Sequence, residues 1–174
     1  MQTGHGMAND INSRSRTYCI ARSLQRCESC ACFTPVIGLV LSAGHETLES
    51  GADADGDPEA AAADSWESAE TRALLFFVEY LSQTVQRRLQ QVSRHYRLEY
   101  DDQEGQTYWM NHCSFCGAKQ GDFELYCEPE GAFMPISEEE AAFIRLFEVS
   151  EPFEALAGGY MYISESSDSA QGEP

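Results

Sequence analysis

The most informative stretch of this chain is Tyr108-Trp-Met-Asn-His-Cys113-Ser-Phe-Cys116-Gly-Ala-Lys-Gln-Gly-Asp122. At its centre two residues separate Cys113 from Cys116, and Gly117 follows directly. A tight turn with this spacing directs two thiolates at one metal ion, and the glycine lets backbone amides approach the sulfurs. Structural zinc takes four ligands, so the stretch predicts half of a metal site.

Cys27 and Cys30 repeat the same spacing and supply a candidate second half. We therefore predict one structural Zn²⁺ ion per chain, held by the thiolates of Cys27, Cys30, Cys113 and Cys116. A site closed by four thiolates has no open coordination position, which indicates a role in stability and not in catalysis. Two substitute ligands remain open, because Cys32 lies close to Cys30 and His112 directly precedes Cys113. The alternative is that these cysteines are buried free thiols.

Composition narrows the class of protein. The chain has 174 residues and 43% hydrophobic residues, enough for one domain with a sizeable core. It carries 29 acidic against 11 basic residues, a net charge of −18. Such a surface repels phosphate groups, so it argues against binding to nucleic acid or to anionic membranes.

The cysteine count and the N-terminus point to a reducing compartment. No apolar run reaches the length of about 18 residues that spans a bilayer, and the N-terminus lacks the apolar core of a secretory signal. We predict a cytoplasmic protein with reduced thiols, since seven cysteines fit a pure disulfide framework poorly. Cys19 and Cys127 are expected to fill the core as small apolar residues. A thiol-based redox enzyme or sensor that uses Cys19, Cys32 or Cys127 is the alternative.

The hydrophobic pattern predicts an α+β domain: a small antiparallel sheet with zinc-ribbon knuckles and one or two short helices. The predicted strands cover residues 17–24, 33–41, 74–80, 97–100, 107–111 and 122–127. The predicted helices are one over 82–94 with Ser82 as its N-cap, a short one from Ser137 in a capping box, and a helical turn over 150–158 that Gly158 ends. The helix over 82–94 would direct Val85, Leu89 and Val92 at the core. One long helix over 73–95 is the alternative to a strand followed by this helix. A strand over 143–149 is an open alternative for the segment after Ser137.

Three segments are predicted to be disordered because they are too polar to offset the entropy of ordering. These are an N-terminal tail over 1–15, an acidic insertion over about 43–68 within a single domain over 16–163, and a C-terminal tail over 164–174. Trp66, near the end of the insertion, is a candidate to dock back onto the domain.

No catalytic motif is recognisable, and no nucleophile and base can be paired. We therefore predict a binding or accessory module whose partner is another protein. Nucleic-acid binding is a further alternative, because four arginines lie on or just after the predicted helix over 82–94: Arg87, Arg88, Arg94 and Arg97. The simpler interpretation is that these arginines form the solvated face of that helix.

The two cysteine motifs resemble those of a family of uncharacterised bacterial zinc-ribbon proteins. In that family Cys-x-x-Cys followed by Thr-Pro-Val pairs with Tyr-Trp-x-Asn-His-Cys-x-x-Cys-Gly-x-x-Gln-Gly-Asp. The first motif matches Cys27 to Val36, and the second matches Tyr108 to Asp122. The resemblance covers about residues 25–135 and implies one zinc ion on the same four cysteines.

Two positions depart from the family pattern. Glu28 stands where the family often has an aromatic residue, so the first knuckle is expected to pack differently. Tyr126 stands where the family often has a histidine, so no histidine ligand is expected there. The family implies no particular reaction.

Overall fold

The computed structural model describes residues 11–49 and 64–163. These residues form an eight-stranded sheet, in the order β10-β2-β3-β6-β11-β1-β4-β5, and a three-stranded sheet, in the order β7-β8-β9. The strands are β1 (Ser13–Ser15), β2 (Tyr18–Arg26), β3 (Phe33–Leu41), β4 (His45–Glu49), β5 (Ser65–Ala69), β6 (Ala73–Leu81), β7 (Tyr96–Asp101), β8 (Gln106–His112), β9 (Lys119–Gln120), β10 (Arg145–Val149) and β11 (Phe153–Tyr162). The helices are α1 (Gln83–Val92), α2 (Asp122–Tyr126) and α3 (Glu138–Ala141).

The prediction of a small zinc-ribbon α+β domain is therefore wrong. Among the described residues every strand pair is antiparallel, and the larger sheet alone has eight strands. The prediction missed β1, β4 and β5 because their exposed residues are largely polar or acidic, which hides the pairing pattern in the sequence. β10 forms within the strand over 143–149 that was the open alternative. The fold is rich in β-strands, and the two cysteine turns connect β2 to β3 and β8 to β9.

Both faces of the large sheet are covered, which explains why the central strands are buried at almost every position over part of their length. On one face Tyr18, Ile20 and Leu39 pack with α1 and with the small sheet. On the other face Cys19 and Ala21 pack with α2 and with the loop that follows it. Because successive side chains of a strand point to opposite faces, a strand covered on both sides reads as a continuous apolar run.

Helix α1 confirms the prediction of a strand followed by a helix. Val85 and Leu89 lie one helical turn apart and are fully buried against the sheet. Ser82 occupies the N-cap position, although its side chain forms no capping hydrogen bond. The capping box after β9 is confirmed as well, since the Ser137 hydroxyl accepts a hydrogen bond from the Glu140 backbone N–H at the start of α3.

The predicted tail and insertion are wrong wherever the structure describes them. Asn12 bonds to both backbone groups of Ala157 through its side-chain amide, at 2.7 and 2.9 Å, and β1 pairs with β11 and β4. Strands β4 and β5 form a hairpin inside the expected insertion, and the guanidinium of Arg14 lies 4.1 Å from the ring centre of Trp66. Residues 1–10, 50–63 and 164–174, which carry the rest of these disorder predictions, lie outside the described residues.

Two further segments differ in type from the prediction. Residues 122–126 form helix α2 and not a strand, because one turn of helix is enough to bury Leu125 and Tyr126 together. The segment after Pro152 is strand β11 and not a helical turn. Gly158 lies within β11 and does not end a helical turn; it packs against Phe77, where an added Cβ would come within 2.9 Å of the Phe77 Cβ. The alternating burial of Phe153, Ala155 and Ala157 is the period of a strand.

Candidate metal centre

The first cysteine turn joins β2 to β3. Cys27 directly follows β2, and its N–H donates to the Cys32 carbonyl at 2.9 Å. The Ala31 N–H donates to the Cys27 carbonyl at 2.8 Å, which closes the turn around the two cysteine side chains. In this turn Ala31 adopts a left-handed backbone conformation, with φ at 60°, which is unfavourable for a residue with a Cβ. The hairpin thus holds Cys27 and Cys30 at the end of the large sheet.

The second turn, between β8 and β9, has the same hydrogen bonds. The Cys113 N–H donates to the Ala118 carbonyl at 2.8 Å, and the Gly117 N–H donates to the Cys113 carbonyl at 2.9 Å. Gly117 takes the left-handed position that Ala31 takes in the first turn, at φ 78°. Here the glycine accepts that conformation without strain. Each sheet therefore contributes one turn of the same design.

The two turns face each other and bring four sulfurs together. The Sγ atoms of Cys27 and Cys116 lie 3.7 Å apart, as do those of Cys30 and Cys113. All four Sγ atoms lie within 4.8 Å of one another. A tetrahedral ion with metal–sulfur bonds of about 2.3 Å would separate its sulfurs by about 3.8 Å. The cysteine cluster, meaning Cys27, Cys30, Cys113 and Cys116, is thus placed to bind a metal ion.

Backbone amides favour the thiolate form of one cysteine from each turn. The N–H of Cys116, joined by that of Phe115, lowers the pKa of the Cys113 thiol to about 6 although burial opposes the shift. Burial also raises the pKa of Cys27, but the N–H groups of Cys30 and Ser29 outweigh it and the net shift is downward.

The thiol pKa of the other cysteine of each turn shifts the opposite way. The N–H of Cys32 lowers the pKa of Cys30, but burial and the neighbouring sulfurs outweigh it and raise that pKa to about 12. Because the thiolate is the form that binds metals, Cys27 and Cys113 are the two thiols that lose their protons first.

A set of polar contacts outside the cluster fixes the two turns to each other. Gln120 donates from Nε2 to the Cys27 sulfur at 3.5 Å, from the opposite sheet. Thr34 accepts a hydrogen bond from the Ser114 N–H at 2.9 Å, and the two hydroxyls lie 3.3 Å apart. Neither contact is predictable from the sequence, because the partner of Gln120 and the partner of Thr34 each lie far away along the chain.

Three other residues of the second motif contact the strands around its turn. Asn111 bonds through its side-chain amide to both backbone groups of Ile37, and Asp122 accepts from the Phe77 N–H at 2.7 Å. His112 uses both ring nitrogens, with Nδ1 3.2 Å from the His95 carbonyl and Nε2 2.7 Å from Glu99. The ring of His112 is therefore engaged away from the cluster and is not placed as a substitute ligand.

The remaining cysteines lie outside the cluster. Cys19 is buried in the core, as expected, whereas Cys32 and Cys127 are exposed. The expectation that Cys127 fills the core is therefore wrong. Although the side chain is exposed, its partial desolvation, followed by the charges of Asp122 and Glu104, raises the pKa of the Cys127 thiol, which disfavours its reactive thiolate. Cys32 serves the first turn through its backbone carbonyl and is not placed as a fourth sulfur.

The arginines on and after α1 are partly neutralised by acidic neighbours. Arg88 forms an ion pair with Glu151, and Arg97 lies 3.3 Å from Glu99. These contacts weaken the basic patch on which a nucleic-acid interface would depend. Within the described ranges, no helix is long and apolar enough to cross a membrane.

Comparisons with protein-family models, with curated proteins and with solved structures find no match to this chain. What the structure supports of the zinc-ribbon resemblance is the clustering of the four cysteines at metal-binding distance.

Proposed function

We propose that this chain is an accessory module that binds another protein and is held together by one structural zinc ion on the cysteine cluster. The observation that carries the proposal is the approach of four sulfurs, two from each sheet, to the separations of a tetrahedral site. Such an ion would join the end of the β2–β3 hairpin to the end of the β8–β9 hairpin. The ion would crosslink two hairpins that lie far apart in sequence, much as a disulfide bond does.

The chemistry of the site favours structure over catalysis. Four thiolates fill a tetrahedral ion and leave no position for a water molecule or a substrate. Soft sulfur ligands in a tetrahedron suit zinc, and also iron, so the identity of the metal has to be measured. The proposal of protein binding is supported by this closed ligand set, and a net charge of −18 favours a basic partner over nucleic acid.

Metal analysis of the purified full chain tests the proposal. We expect about one zinc ion per chain, release of that ion by a strong chelator, and loss of tertiary structure on release, followed by circular dichroism in the near ultraviolet. Cobalt substitution should give the intense visible absorption of tetrahedral thiolate ligation. A chain that folds fully without metal, or that carries iron in place of zinc, would contradict the proposal.

A further inference from the structure

Beside the first cysteine turn the large sheet has an open edge. β10 pairs with β2 only as far as Arg22, which lies opposite Arg145. β2 continues to Arg26 and remains paired with β3 on its other side. The outer edge of β2 is therefore uncovered over 23–26, directly before Cys27. Open strand edges are templates for further strand pairing.

The register shows which backbone groups face this open edge. Leu24 lies opposite Pro35, which has no N–H to exchange, and Arg22 lies opposite Ile37, whose N–H and C=O are bonded to Asn111. Both pairs are therefore the non-hydrogen-bonded pairs of the β2–β3 ladder, which alternate with bonded ones. The N–H and C=O of Leu24 and of Arg26 consequently point away from β3. In the part of the chain that the structure describes, no backbone group outside the ladder bonds to Leu24.

A groove of about 480 Å³ runs along this edge, and acidic residues surround it. We call it the acidic groove; its charged lining consists of one arginine, Arg26, and five glutamates, namely Glu28, Glu124, Glu128, Glu130 and Glu140. Burial, followed by the charges of Glu28 and Glu128, raises the pKa of Glu124, as expected where carboxylates crowd one another. A positively charged occupant would relieve that repulsion.

Apolar side chains are available in the same groove. Phe33 and Phe143 line it and are 63% and 62% exposed, and Leu24 is 47% exposed. Exposed aromatic residues next to unpaired backbone groups are the elements by which a sheet edge takes up an extended peptide. Alternate residues of such a peptide would meet either the apolar side chains or the glutamates.

We propose that the acidic groove binds an extended basic segment of a partner protein, which adds to the edge of β2 as a strand. The segment would alternate lysine or arginine with apolar residues. Residues 1–10, 50–63 and 164–174 do not supply such a segment, because they contain no lysine or arginine. This inference rests on the proposed function and names the class of partner that it requires.

Binding of a labelled ten-residue peptide to the metal-loaded full chain tests the inference. The peptide alternates lysine or arginine with valine or leucine, and its binding is followed by fluorescence anisotropy at two salt concentrations. We expect saturable binding that weakens as salt rises. A version with glutamate at the basic positions should not bind. Of two versions methylated on alternate backbone nitrogens, one should lose binding at least tenfold more than the other, because only one set of N–H groups faces β2.

Matched variants locate the binding. The combined substitution Glu28→Gln, Glu124→Gln and Glu128→Gln should weaken binding by about tenfold, since each exposed ion pair contributes a few tenths of a kcal/mol or more. The combined substitution Glu67→Gln, Glu70→Gln and Glu79→Gln removes the same charge from exposed residues outside the groove and should leave binding within about twofold. Hydrogen exchange measured residue by residue should show slower exchange at Leu24 and Arg26 when peptide is bound, with little change at Ser23 and Gln25.

The inference is overturned if the peptide fails to bind, if both sets of variants weaken it equally, or if the Leu24 amide is not protected. It is also overturned if the chain pairs with a second copy of itself through this edge, which size-exclusion chromatography with light scattering would reveal. Metal content, measured on the same samples, separates the two hypotheses. Protein that contains zinc but does not bind the peptide contradicts only this inference, whereas protein without zinc contradicts the proposed function.

Discussion

Asn111 acts toward Ile37 as a neighbouring strand would. Its Nδ2 donates to the Ile37 carbonyl at 2.8 Å, and its Oδ1 accepts from the Ile37 N–H at 2.9 Å. Both residues are buried, and they belong to different sheets. The bonds join β3 to β8 where each strand approaches its cysteine turn. The approach of the two turns therefore depends on this amide as well as on any metal ion.

We expect Asn111→Leu to destabilise the protein strongly. Leucine is similar in size but leaves the N–H and C=O of Ile37 buried without partners, at a cost of about 1–3 kcal/mol for each group. Chemical denaturation of the metal-loaded protein measures the loss. Gln103→Leu removes an exposed amide and should change stability by less than about 0.5 kcal/mol. Equal effects of the two substitutions would show that the bonds to Ile37 contribute nothing.

The cysteine cluster should behave as one unit. Cys27→Ser removes a ligand from the first turn, and Cys113→Ser removes one from the second. We expect each to lose the metal and to lower the free energy of unfolding by more than about 4 kcal/mol. The double variant should be no less stable than either single variant, because the ion is already lost in each.

The matched control for the cluster is Cys32→Ser, which changes an exposed cysteine next to the first turn. It should keep one metal ion per chain and the thermal unfolding midpoint of the unsubstituted protein. Additive losses in the double variant, or a loss of metal in Cys32→Ser, would show that the four sulfurs do not share one ion.

Much of the local structure follows from the sequence, because local patterns encode it. The apolar run that became β3, the spacing of Val85 and Leu89, and the capping box at Ser137 each predicted the element that forms. The pairing of the outer strands was not predictable in this way. β4 and β5 consist largely of polar and acidic residues, and they are held by a hairpin register and by Arg14 stacking on Trp66.

The candidate site was also predictable only in part from the sequence. The repeated cysteine spacing predicted which four sulfurs the structure brings together, because two short turns encode two ligands each. That these sulfurs bind zinc stays a prediction. The contacts from Gln120 to Cys27 and from Asn111 to Ile37 could not be read from spacing, because each depends on how the two sheets approach.

Gln120 is the next residue to test, because its Nε2–H points at the Cys27 sulfur and also at the carbonyls of Ala118 and Lys119. A hydrogen bond to a thiolate stabilises its charge and fixes its direction. We expect Gln120→Ala to weaken zinc binding by about 10–100-fold, measured by competition with a chromogenic chelator. Gln106→Ala, which removes the same kind of side chain from the start of β8, should have no effect on affinity. A Gln120→Ala protein that holds zinc as tightly as the unsubstituted chain would show that this contact is incidental.

Asp122 gives the protein a pH dependence opposite to that of its cysteine ligands. Burial of the Asp122 carboxyl raises its pKa to about 8, because the effect of burial outweighs that of the hydrogen bond from the Phe77 N–H. The folded state thus binds a proton that the unfolded state releases above about pH 4. Stability from this group is present below pH 4 and is lost as pH rises toward 8, by up to about 1.4 kcal/mol per pH unit.

The substitution Asp122→Asn isolates this effect. Asparagine stays neutral and can still accept from the Phe77 N–H, so the variant should gain stability relative to the unsubstituted protein as pH rises from about 6 to 8. Urea denaturation of both metal-loaded proteins across that range measures the difference, in which the contribution of the cysteine ligands cancels. Asp101→Asn is the contrasting variant. Burial raises the pKa of Asp101, but hydrogen bonds from Tyr108 and the Gln103 N–H outweigh it and the net shift is downward. The variant Asp101→Asn should therefore gain no stability relative to the unsubstituted protein as pH rises from about 6 to 8. A constant difference between Asp122→Asn and the unsubstituted protein would mean that Asp122 is ionised throughout, in spite of its burial.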